Sequence, residues 1–240
     1  MEQLSIEQFT VWCENREEAL KIKQEIFSHH IYFFETENPR PVIIDAGAHI
    51  GLATLYFKKL YPDAQIIAIE PHPHSFKLLE KNVSENYLTD VTCINAALVG
   101  SNEVLNGLRP LYADTEFQWF STASFLPGAW NKAQQTAPLS VATLSLAKVI
   151  KNIGSTVDLL KIDIEGAEQE VLREARPALA KVAHIICEYH MTASQDRGLF
   201  LEFLEIEGFE VTHENKKESH HSKHELELIE AVRPWDTPNT

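Results

Sequence analysis

Residues 42–51 read VIIDAGAHIG, and this stretch decides how the chain folds. Its first three residues are apolar without interruption, which is typical of a strand buried on both faces of a sheet. Gly47 and Gly51 then allow the backbone to turn sharply into a helix and to approach a ligand closely. The free N–H groups at the start of that helix favour a negatively charged group such as a carboxylate or phosphate. The stretch therefore predicts a strand, a glycine turn and a helix.

The rest of the chain alternates between apolar runs of strand length and segments with helical spacing. Further strands are predicted at 65–69, 91–94, 157–162 and 182–187, followed by two late strands at 209–213 and 225–232. Helices are predicted at 51–60, 75–85, 167–173 and 199–207. Strands that alternate with helices of this length indicate βαβ units. They predict an α/β fold with a mostly parallel sheet.

Two segments depart from this alternation. Residues 1–38 are predicted to form a helical N-terminal preface, with a candidate short strand at 9–13, and the break that follows contains two prolines. The main domain is then expected to span 39–235, with an irregular, aromatic-rich insertion at about 100–141. That insertion is either an excursion packed beside the sheet or a lid over an acceptor, because long irregular segments in compact domains are often functional.

Composition narrows the class of protein. The chain has 240 residues, of which 21 are Lys or Arg and 35 are Asp or Glu, so its net charge is 21 − 35 = −14. No basic stripe is available to bind nucleic acid, and no apolar run approaches the roughly 20 residues of a membrane span. The N-terminus lacks a signal-peptide pattern, and three distant cysteines without a zinc pattern suit a reducing compartment. We expect a cytoplasmic protein without nucleic-acid or membrane partners.

Residues that follow the second and third strands are candidates for binding a nucleotide-like ligand, because parallel sheets bind ligands beyond the carboxyl ends of their strands. Glu70, followed by Pro71, lies about 20 residues beyond the glycine turn, where a carboxylate can accept both hydroxyls of a ribose. Asn95 ends the third strand and can hydrogen-bond an adenine edge. Alternatively, Glu70 is a solvated acid at the end of a strand, and Asn95 is an ordinary turn residue.

The glycine turn indicates which nucleotide-like ligand is favoured. It has the form DxGxxxG, with Asp45, Gly47 and Gly51, and lacks the GxGxxG of dinucleotide-binding proteins. Asp45 suits a cationic or amine-bearing ligand, and S-adenosylmethionine carries a sulfonium and an amino group but no phosphate. The turn therefore favours S-adenosylmethionine, with Ala48, His49 and, after the fourth strand, Asp163 as further candidate contacts.

The most specific string is VDLLKIDIEGAE, at residues 157–168. Lys161, Asp163 and Glu165 alternate with apolar residues, so they share one face of the strand or extend past its end. Charged groups beside a buried strand are costly unless they are paired or functional. The alternative is an ion-pair network that holds the turn, and it is favoured for Glu165 and Glu168 because Glu stabilises the start of a helix.

Together these motifs resemble the FkbM-type S-adenosylmethionine-dependent methyltransferases. The resemblance rests on VIIDAGAHIGLATLYF, IAIEP, VDLLKIDIEGAEQEVL and IICEYH, in this order, over about residues 40–215. It implies a class I, Rossmann-like fold: a seven-stranded, mostly parallel sheet with helices on both faces. It also implies methyl transfer, usually to a hydroxyl of a sugar or natural product. Asp45, Gly47 and Gly51 would then surround the methionine end of the cofactor, and Glu70 would bind its ribose.

Candidates for the chemistry lie at the ends of the fourth and fifth strands. Methyl transfer from a sulfonium needs an acceptor held in line, and a base only if the nucleophile must lose a proton. The candidate catalytic residues are Lys161, Asp163, Glu188 and His190, and we predict that Asp163 or His190 is the base. Asp163, Glu188 and His190 are also suitable ligands for a divalent ion, although no metal is expected.

The acceptor is predicted to be a small molecule covered by the insertion near Trp119 and Phe125. Two other functions fit a sheet of this kind. A nicotinamide-dependent oxidoreductase would need the absent GxGxxG, and a catalytically silent nucleotide-binding module would keep the fold without turnover. The DxGxxxG turn and Glu70 favour an active methyltransferase that converts S-adenosylmethionine to S-adenosylhomocysteine.

Overall fold

The computed structural model describes residues 1–100, 107–114, 123–125, 136–192, 195–216 and 226–234. In chain order its strands are β1 (Glu2–Ile6), β2 (Phe9–Cys13), β3 (Val42–Ala46), β4 (Gln65–Ile69), β5 (Val91–Ile94), β6 (Ala97–Leu98), β7 (Leu108–Asp114), β8 (Thr136–Leu144), β9 (Val157–Ile162), β10 (Val182–His190), β11 (Glu210–Lys216) and β12 (Leu226–Val232). Its α-helices are α1 (Arg16–Lys23), α2 (Leu52–Leu60), α3 (Pro73–Glu85), α4 (Leu146–Ile153), α5 (Glu168–Glu174) and α6 (Arg197–Ile206).

Seven strands form the main sheet, in the order β11-β12-β10-β9-β3-β4-β5. β12 runs antiparallel to both of its neighbours, whereas the pairs from β10 to β5 are parallel. This confirms the predicted mostly parallel α/β sheet. The chain moves outward from β3 through β4 and β5 and later returns on the other side at β9. The strand order therefore reverses between β3 and β9, which is where such sheets bind ligands.

Helices cover both faces of the sheet. Successive strand residues point to opposite faces of a sheet. In β3, Ile44 packs into the core that contains residues of α4, α5 and α6. Ile43 packs into the core on the other face, with α2 and the N-terminal segment. Both side chains are fully buried, which is why residues 42–44 of this strand are all apolar instead of alternating with polar residues. None of the described helices has the length and apolarity that crossing a membrane requires.

The N-terminal preface is not wholly helical, although the short strand predicted at 9–13 is confirmed as β2. β1 and β2 pair as an antiparallel hairpin, and only then do α1 and a π-helical turn at Gln24–Ser28 follow. The side-chain amide of Asn82, on α3, anchors the hairpin. It accepts from the N–H of Trp12 (2.6 Å) and donates to the carbonyls of Trp12 and Ile50 (3.0 and 2.8 Å). The hairpin is thereby attached to the helix that follows β4 and to the glycine turn.

The region predicted as an irregular insertion contains regular structure. β7 pairs antiparallel with β8, and β8 pairs with the short β6. Pro110 and Pro138 lie inside β7 and β8 and interrupt the strand pattern in the sequence. Phe125 is within the described residues, whereas Trp119 lies outside them, so the predicted cover over the acceptor stays a prediction.

Candidate active site

The glycine turn after β3 is bonded to the strands on either side of it. The N–H groups of Gly47 and Ala48 both donate to the carbonyl of Ile69 at the end of β4, at 2.9 and 3.0 Å. On the other side, the N–H of Asp163 donates to the carbonyl of Ala46 at 3.1 Å. The predicted site residues on β3, β4 and β9 are therefore brought to one edge of the sheet.

Packing between protein segments explains the two glycines of the turn. Both have left-handed backbones, with φ of 78° at Gly47 and 92° at Gly51. A Cβ at Gly47 would lie 1.7 Å from the carbonyl oxygen of Asp163, and one at Gly51 would lie 2.8 Å from Cδ1 of Leu79. The left-handed backbones agree with the sharp turn predicted for these glycines, and the neighbouring strand end and α3 exclude a side chain at both positions.

Asp45 and Lys161 form a buried pair beneath the turn. Asp45 accepts from the hydroxyl of Thr54 at 2.6 Å, and its other oxygen lies 3.3 Å from Nζ of Lys161. Lys161 also donates to the carbonyl of Gly47 at 2.7 Å. Burial lowers the pKa of Lys161, but the nearby carboxylates, Asp45 first, outweigh this and raise it above its usual value. The lysine therefore stays charged, and the pair holds the turn from inside the protein.

Glu70 lies directly beside the turn. Its two carboxylate oxygens accept from the N–H groups of His49 and His72, both at 2.8 Å. Burial raises the pKa of Glu70 to about 7, although these two hydrogen bonds lower it. The amide of Asn95 donates to the carbonyls of Glu70 and Pro71 at 2.8 and 3.1 Å. Asn95 thus supports the Glu70 loop, a role that the sequence analysis did not predict.

His49 carries the feature that points to a bound ligand. Neither ring nitrogen has a hydrogen-bond partner among the described residues, and both nitrogens are buried. Burial lowers the pKa of His49, so the ring is neutral and offers one donor and one acceptor. An unsatisfied buried polar group is costly. The turn therefore fits a polar ligand that would satisfy this imidazole.

A second group of side chains lies at the ends of β9 and β10, and we call Asp163, Glu165, Glu168 and His190 the carboxylate–imidazole cluster. Nδ1 of His190 lies 3.0 Å from Glu168, and Nε2 lies 3.5 Å from Glu165 and 4.0 Å from Asp163. β10 continues to His190, three residues beyond its predicted end. The imidazole is therefore held by the last residue of a paired strand.

Glu168 has the structural role that the sequence favoured for it. Its carboxylate is fully buried and accepts from the N–H groups of Ile164 and Gly166, at 3.1 and 3.0 Å, as well as contacting His190. Between those two N–H groups, Glu165 adopts a left-handed backbone with φ of 56°. Glu168 thus holds both the loop after β9 and the ring of His190.

Burial and crowding set the protonation of the cluster. Burial and, after it, the nearby carboxylate of Glu188 raise the pKa of Asp163 to about 6. Burial raises the pKa of Glu165 to about 8. Burial lowers the pKa of His190, but Glu165, Glu168 and Asp163 outweigh it and raise it well above its usual value. At neutral pH this favours an ionised Asp163 and a protonated His190. An imidazolium cannot accept a proton, whereas an ionised carboxylate can.

Glu188 lies beside the cluster and is contacted from the preface. The hydroxyl of Tyr32 donates to Glu188 at 2.5 Å and lies 3.4 Å from Asp163. Tyr32 was not predicted from the sequence, because it belongs to no motif and precedes the first predicted strand of the sheet. Its place in the aromatic run Tyr32-Phe33-Phe34 was the one available signal.

Three members of the cluster have the chemistry of metal ligands. Ligand atoms of Asp163, Glu165 and His190 all lie within 4.8 Å of one another. Glu188, which was predicted in this set in place of Glu165, contacts Tyr32 instead. Two carboxylates and an imidazole are a donor set that divalent ions accept.

The described part of the insertion contacts the loop after β9. Ser124 donates from its hydroxyl to the carbonyl of Glu165 at 2.7 Å, and the guanidinium of Arg109 lies 3.8 Å from the ring centre of Phe125. The insertion therefore reaches the loop that carries the cluster.

Comparison with known proteins agrees with this geometry. Residues 45–218 match the family model of the methyltransferase FkbM domain. The chain belongs to the FkbM methyltransferase family. This confirms the resemblance found in the sequence and S-adenosylmethionine as the cofactor, and it favours methyl transfer over the oxidoreductase alternative.

Individual relatives are distant. The chain is 27% identical to methyltransferase sdnD of Sordaria araneosa, over 88% of this chain and 90% of that one. It is 25% identical to the 2-O-methyltransferase NoeI of Sinorhizobium fredii, over 71% of this chain and 70% of that one. The precorrin-6y C5,15-methyltransferase of Geobacter metallireducens has a similar fold, with a TM-score of 0.52 and 13% identity over 96% of this chain and 97% of that one.

Proposed function

We propose that this FkbM methyltransferase transfers the methyl group of S-adenosylmethionine to a hydroxyl of a small molecule. The observation that carries the proposal is the carboxylate of Asp163, which is partly exposed at the end of β9 and has a pKa raised by burial to about 6. A hydroxyl loses its proton when it is methylated, and such a carboxylate is poised to accept it near neutral pH. The name of the relative NoeI, a 2-O-methyltransferase, supports oxygen as the acceptor atom.

Each residue then has a distinct role. S-adenosylmethionine, when bound, supplies an electrophilic methyl group. Glu70 accepts the ribose hydroxyls with lone pairs that its two N–H contacts leave available, and the imidazole of His49 hydrogen-bonds the cofactor. Asp163 takes the proton of the acceptor hydroxyl, and the imidazolium of His190 stabilises the carboxylate beside it.

The acceptor end is bounded by the preface and the insertion. We assign residues 39–235 to the methyltransferase domain and the insertion near Phe125 to the cover over the acceptor, since Ser124 contacts the loop that carries the cluster. The net charge of −14 and the absence of a basic stripe in the sequence support a small-molecule acceptor over nucleic acid.

The test is to measure turnover and cofactor affinity side by side. S-adenosylhomocysteine release is followed with a panel of hydroxylated sugars and natural products for the wild type, Asp163→Asn and His190→Ala. We expect Asp163→Asn to lower turnover by ~10²–10⁴-fold, the usual effect of losing a general base, with unchanged affinity for S-adenosylhomocysteine.

Asp158→Asn is the matched control, because Asp158 is a buried carboxylate at the opposite end of β9. It should leave turnover unchanged. Full turnover in Asp163→Asn and His190→Ala would show that no base is needed and would refute the assignment. Loss of cofactor binding in both variants would make the two residues structural.

A further inference from the structure

The preface contributes a buried carboxylate. Glu18, in the first turn of α1, is 4% exposed. The side chain of its neighbour Glu17 is 74% exposed and pairs with Lys21 on the same helix at 3.1 Å. Acidic side chains are almost never fully buried unless they are paired or functional. The burial of Glu18 therefore indicates a specific role for its charge.

Two contacts place the buried face of α1 against the glycine turn. Ala19, directly after Glu18, is 1% exposed and belongs to the same core as Ile50 of the turn. The hairpin that precedes α1 is attached to the turn as well, because the amide of Asn82 donates to the carbonyls of both Trp12 and Ile50, at 3.0 and 2.8 Å. The preface therefore holds Glu18 at the side of the turn.

The carboxylate of Glu18 acts on the imidazole of His49. Burial lowers the pKa of His49, whereas the negative charge of Glu18 raises it. Among the described residues, neither ring nitrogen of His49 has a hydrogen-bond partner, and both nitrogens are buried. A negative charge and an imidazole with an unused donor and acceptor therefore lie near each other, between α1 and the turn.

The carboxylate that was predicted at the methionine end of the cofactor is directed elsewhere. Asp45 is 0% exposed, accepts from the hydroxyl of Thr54 at 2.6 Å and lies 3.3 Å from Nζ of Lys161. The lysine therefore balances the charge of Asp45 beneath the turn. A bound S-adenosylmethionine brings an ammonium group to the turn, and a cation that leaves water needs a partner of opposite charge.

We propose that Glu18 is a cofactor-binding residue, whose carboxylate accepts from the ammonium group at the methionine end of S-adenosylmethionine, while His49 donates to the carboxylate beside that group. This inference rests on the proposed contact between His49 and the cofactor, and it does not depend on the acceptor or on the base. α1 lies outside residues 45–218, which match the family model. The preface of this chain thus completes the cofactor site.

A helix cap is the alternative role for Glu18. The side chain of Asn15 caps α1 by accepting from the N–H groups of Glu17 and Glu18, at 3.0 and 3.1 Å. A glutamate three residues after the cap can bond back to the backbone of the capping residue. Such a bond uses one of about four lone pairs of a carboxylate. Glutamine serves this position too, so Glu18→Gln keeps the cap and removes the charge.

The test compares two ligands by calorimetric titration. S-adenosylhomocysteine carries the ammonium group, whereas its deaminated analogue has hydrogen in that position. In Glu18→Gln the Kd for S-adenosylhomocysteine should rise ~10-fold, the usual effect of losing a hydrogen bond between charged groups. The Kd for the deaminated analogue should keep its wild-type value. Glu17→Gln is the matched control, because it changes an exposed carboxylate in the same helical turn, and it should leave both affinities unchanged.

Two outcomes in Glu18→Gln refute the proposal. One is a wild-type affinity for S-adenosylhomocysteine. The other is an equal loss of affinity for both ligands, because a loss that does not depend on the ammonium group comes from a displaced helix.

His49→Phe separates this failure from a failure of the proposed function. If His49→Phe weakens the binding of S-adenosylhomocysteine and Glu18→Gln does not, the role of Glu18 fails and the proposed contact of His49 stands. Wild-type affinity in His49→Phe removes the contact on which the inference rests. A wild-type protein that binds no S-adenosylhomocysteine refutes the proposed function, and the role of Glu18 fails with it.

Discussion

Replacing Glu70 by alanine gives the sharpest test of the cofactor end of the site. Glu70 is 6% exposed, and its carboxylate accepts from two backbone N–H groups, of His49 and His72, each at 2.8 Å. A hydrogen bond to a charged group contributes about 1.5–3 kcal/mol. Burial of the carboxylate offsets a part of this, as its pKa of about 7 indicates. We expect Glu70→Ala to lower the free energy of unfolding by about 2–4 kcal/mol.

The same substitution should weaken cofactor binding. Loss of the carboxylate that accepts the ribose hydroxyls should cost about 1.5–3 kcal/mol of binding free energy, which is a ~10–150-fold rise in Kd. The assay is calorimetric titration with S-adenosylhomocysteine at a temperature where wild type and variant are both folded. Urea unfolding of the same samples measures the change in the free energy of unfolding separately.

Asp158→Ala provides the control for lost stability. Asp158 is also a buried carboxylate, and it accepts from the N–H of Val42 at 2.8 Å and from the side chain of Asn38 at 3.1 Å. It lies at the amino end of β9, across the sheet from Glu70. This variant should lose stability without losing affinity. Wild-type affinity in Glu70→Ala would remove Glu70 from the cofactor site, and an equal loss in Asp158→Ala would show that general loosening explains the effect.

Three further predictions concern the pH dependence, the cofactor and metal ions. Burial raises the pKa of Glu165 from 4.5 to about 8, so between these pH values the folded protein keeps a proton that the unfolded chain has lost, and stability falls as the pH rises from 4.5 to 8. Glu165→Gln should therefore raise Tm more at pH 8 than at pH 5, and equal shifts would contradict this. S-adenosylhomocysteine should raise Tm of the wild type by mass action, and a flat titration would favour the catalytically silent module. Turnover should survive a chelator, whereas loss that magnesium restores would assign Asp163, Glu165 and His190 to a divalent ion.

The elements that were predicted well are those whose signal is local. β4, β5 and β9 have the predicted bounds, because an apolar run of strand length between two helical segments has few other interpretations. The end of β10 was predicted too early, since Glu188 and His190 are polar. They remain in the strand because β12 pairs with β10 as far as His190, and this partner lies about forty residues further along the chain.

The residues of the candidate site were likewise predicted only where their signal in the sequence is local. Spacing in the sequence was enough to place the glycine turn and Glu70 together, because both follow neighbouring strands of the predicted sheet. Tyr32 was beyond prediction, since its contacts span 131 residues to Asp163 and 156 residues to Glu188. No local pattern encodes a contact of that length in a segment without regular structure.

The sequence by itself determined the order of the strands and helices from β3 to β5 and from β9 to β12, the DxGxxxG turn and the family, and therefore the class of reaction. These are patterns of neighbouring residues, and they need no knowledge of distant contacts. Only the tertiary structure decided what each charged residue does, because burial and the distance to other charges depend on the whole fold. It buries Asp45 and Lys161 as a pair under the turn. It leaves the side chain of Asp163 27% exposed, with a pKa that burial and Glu188 raise into the range of a base.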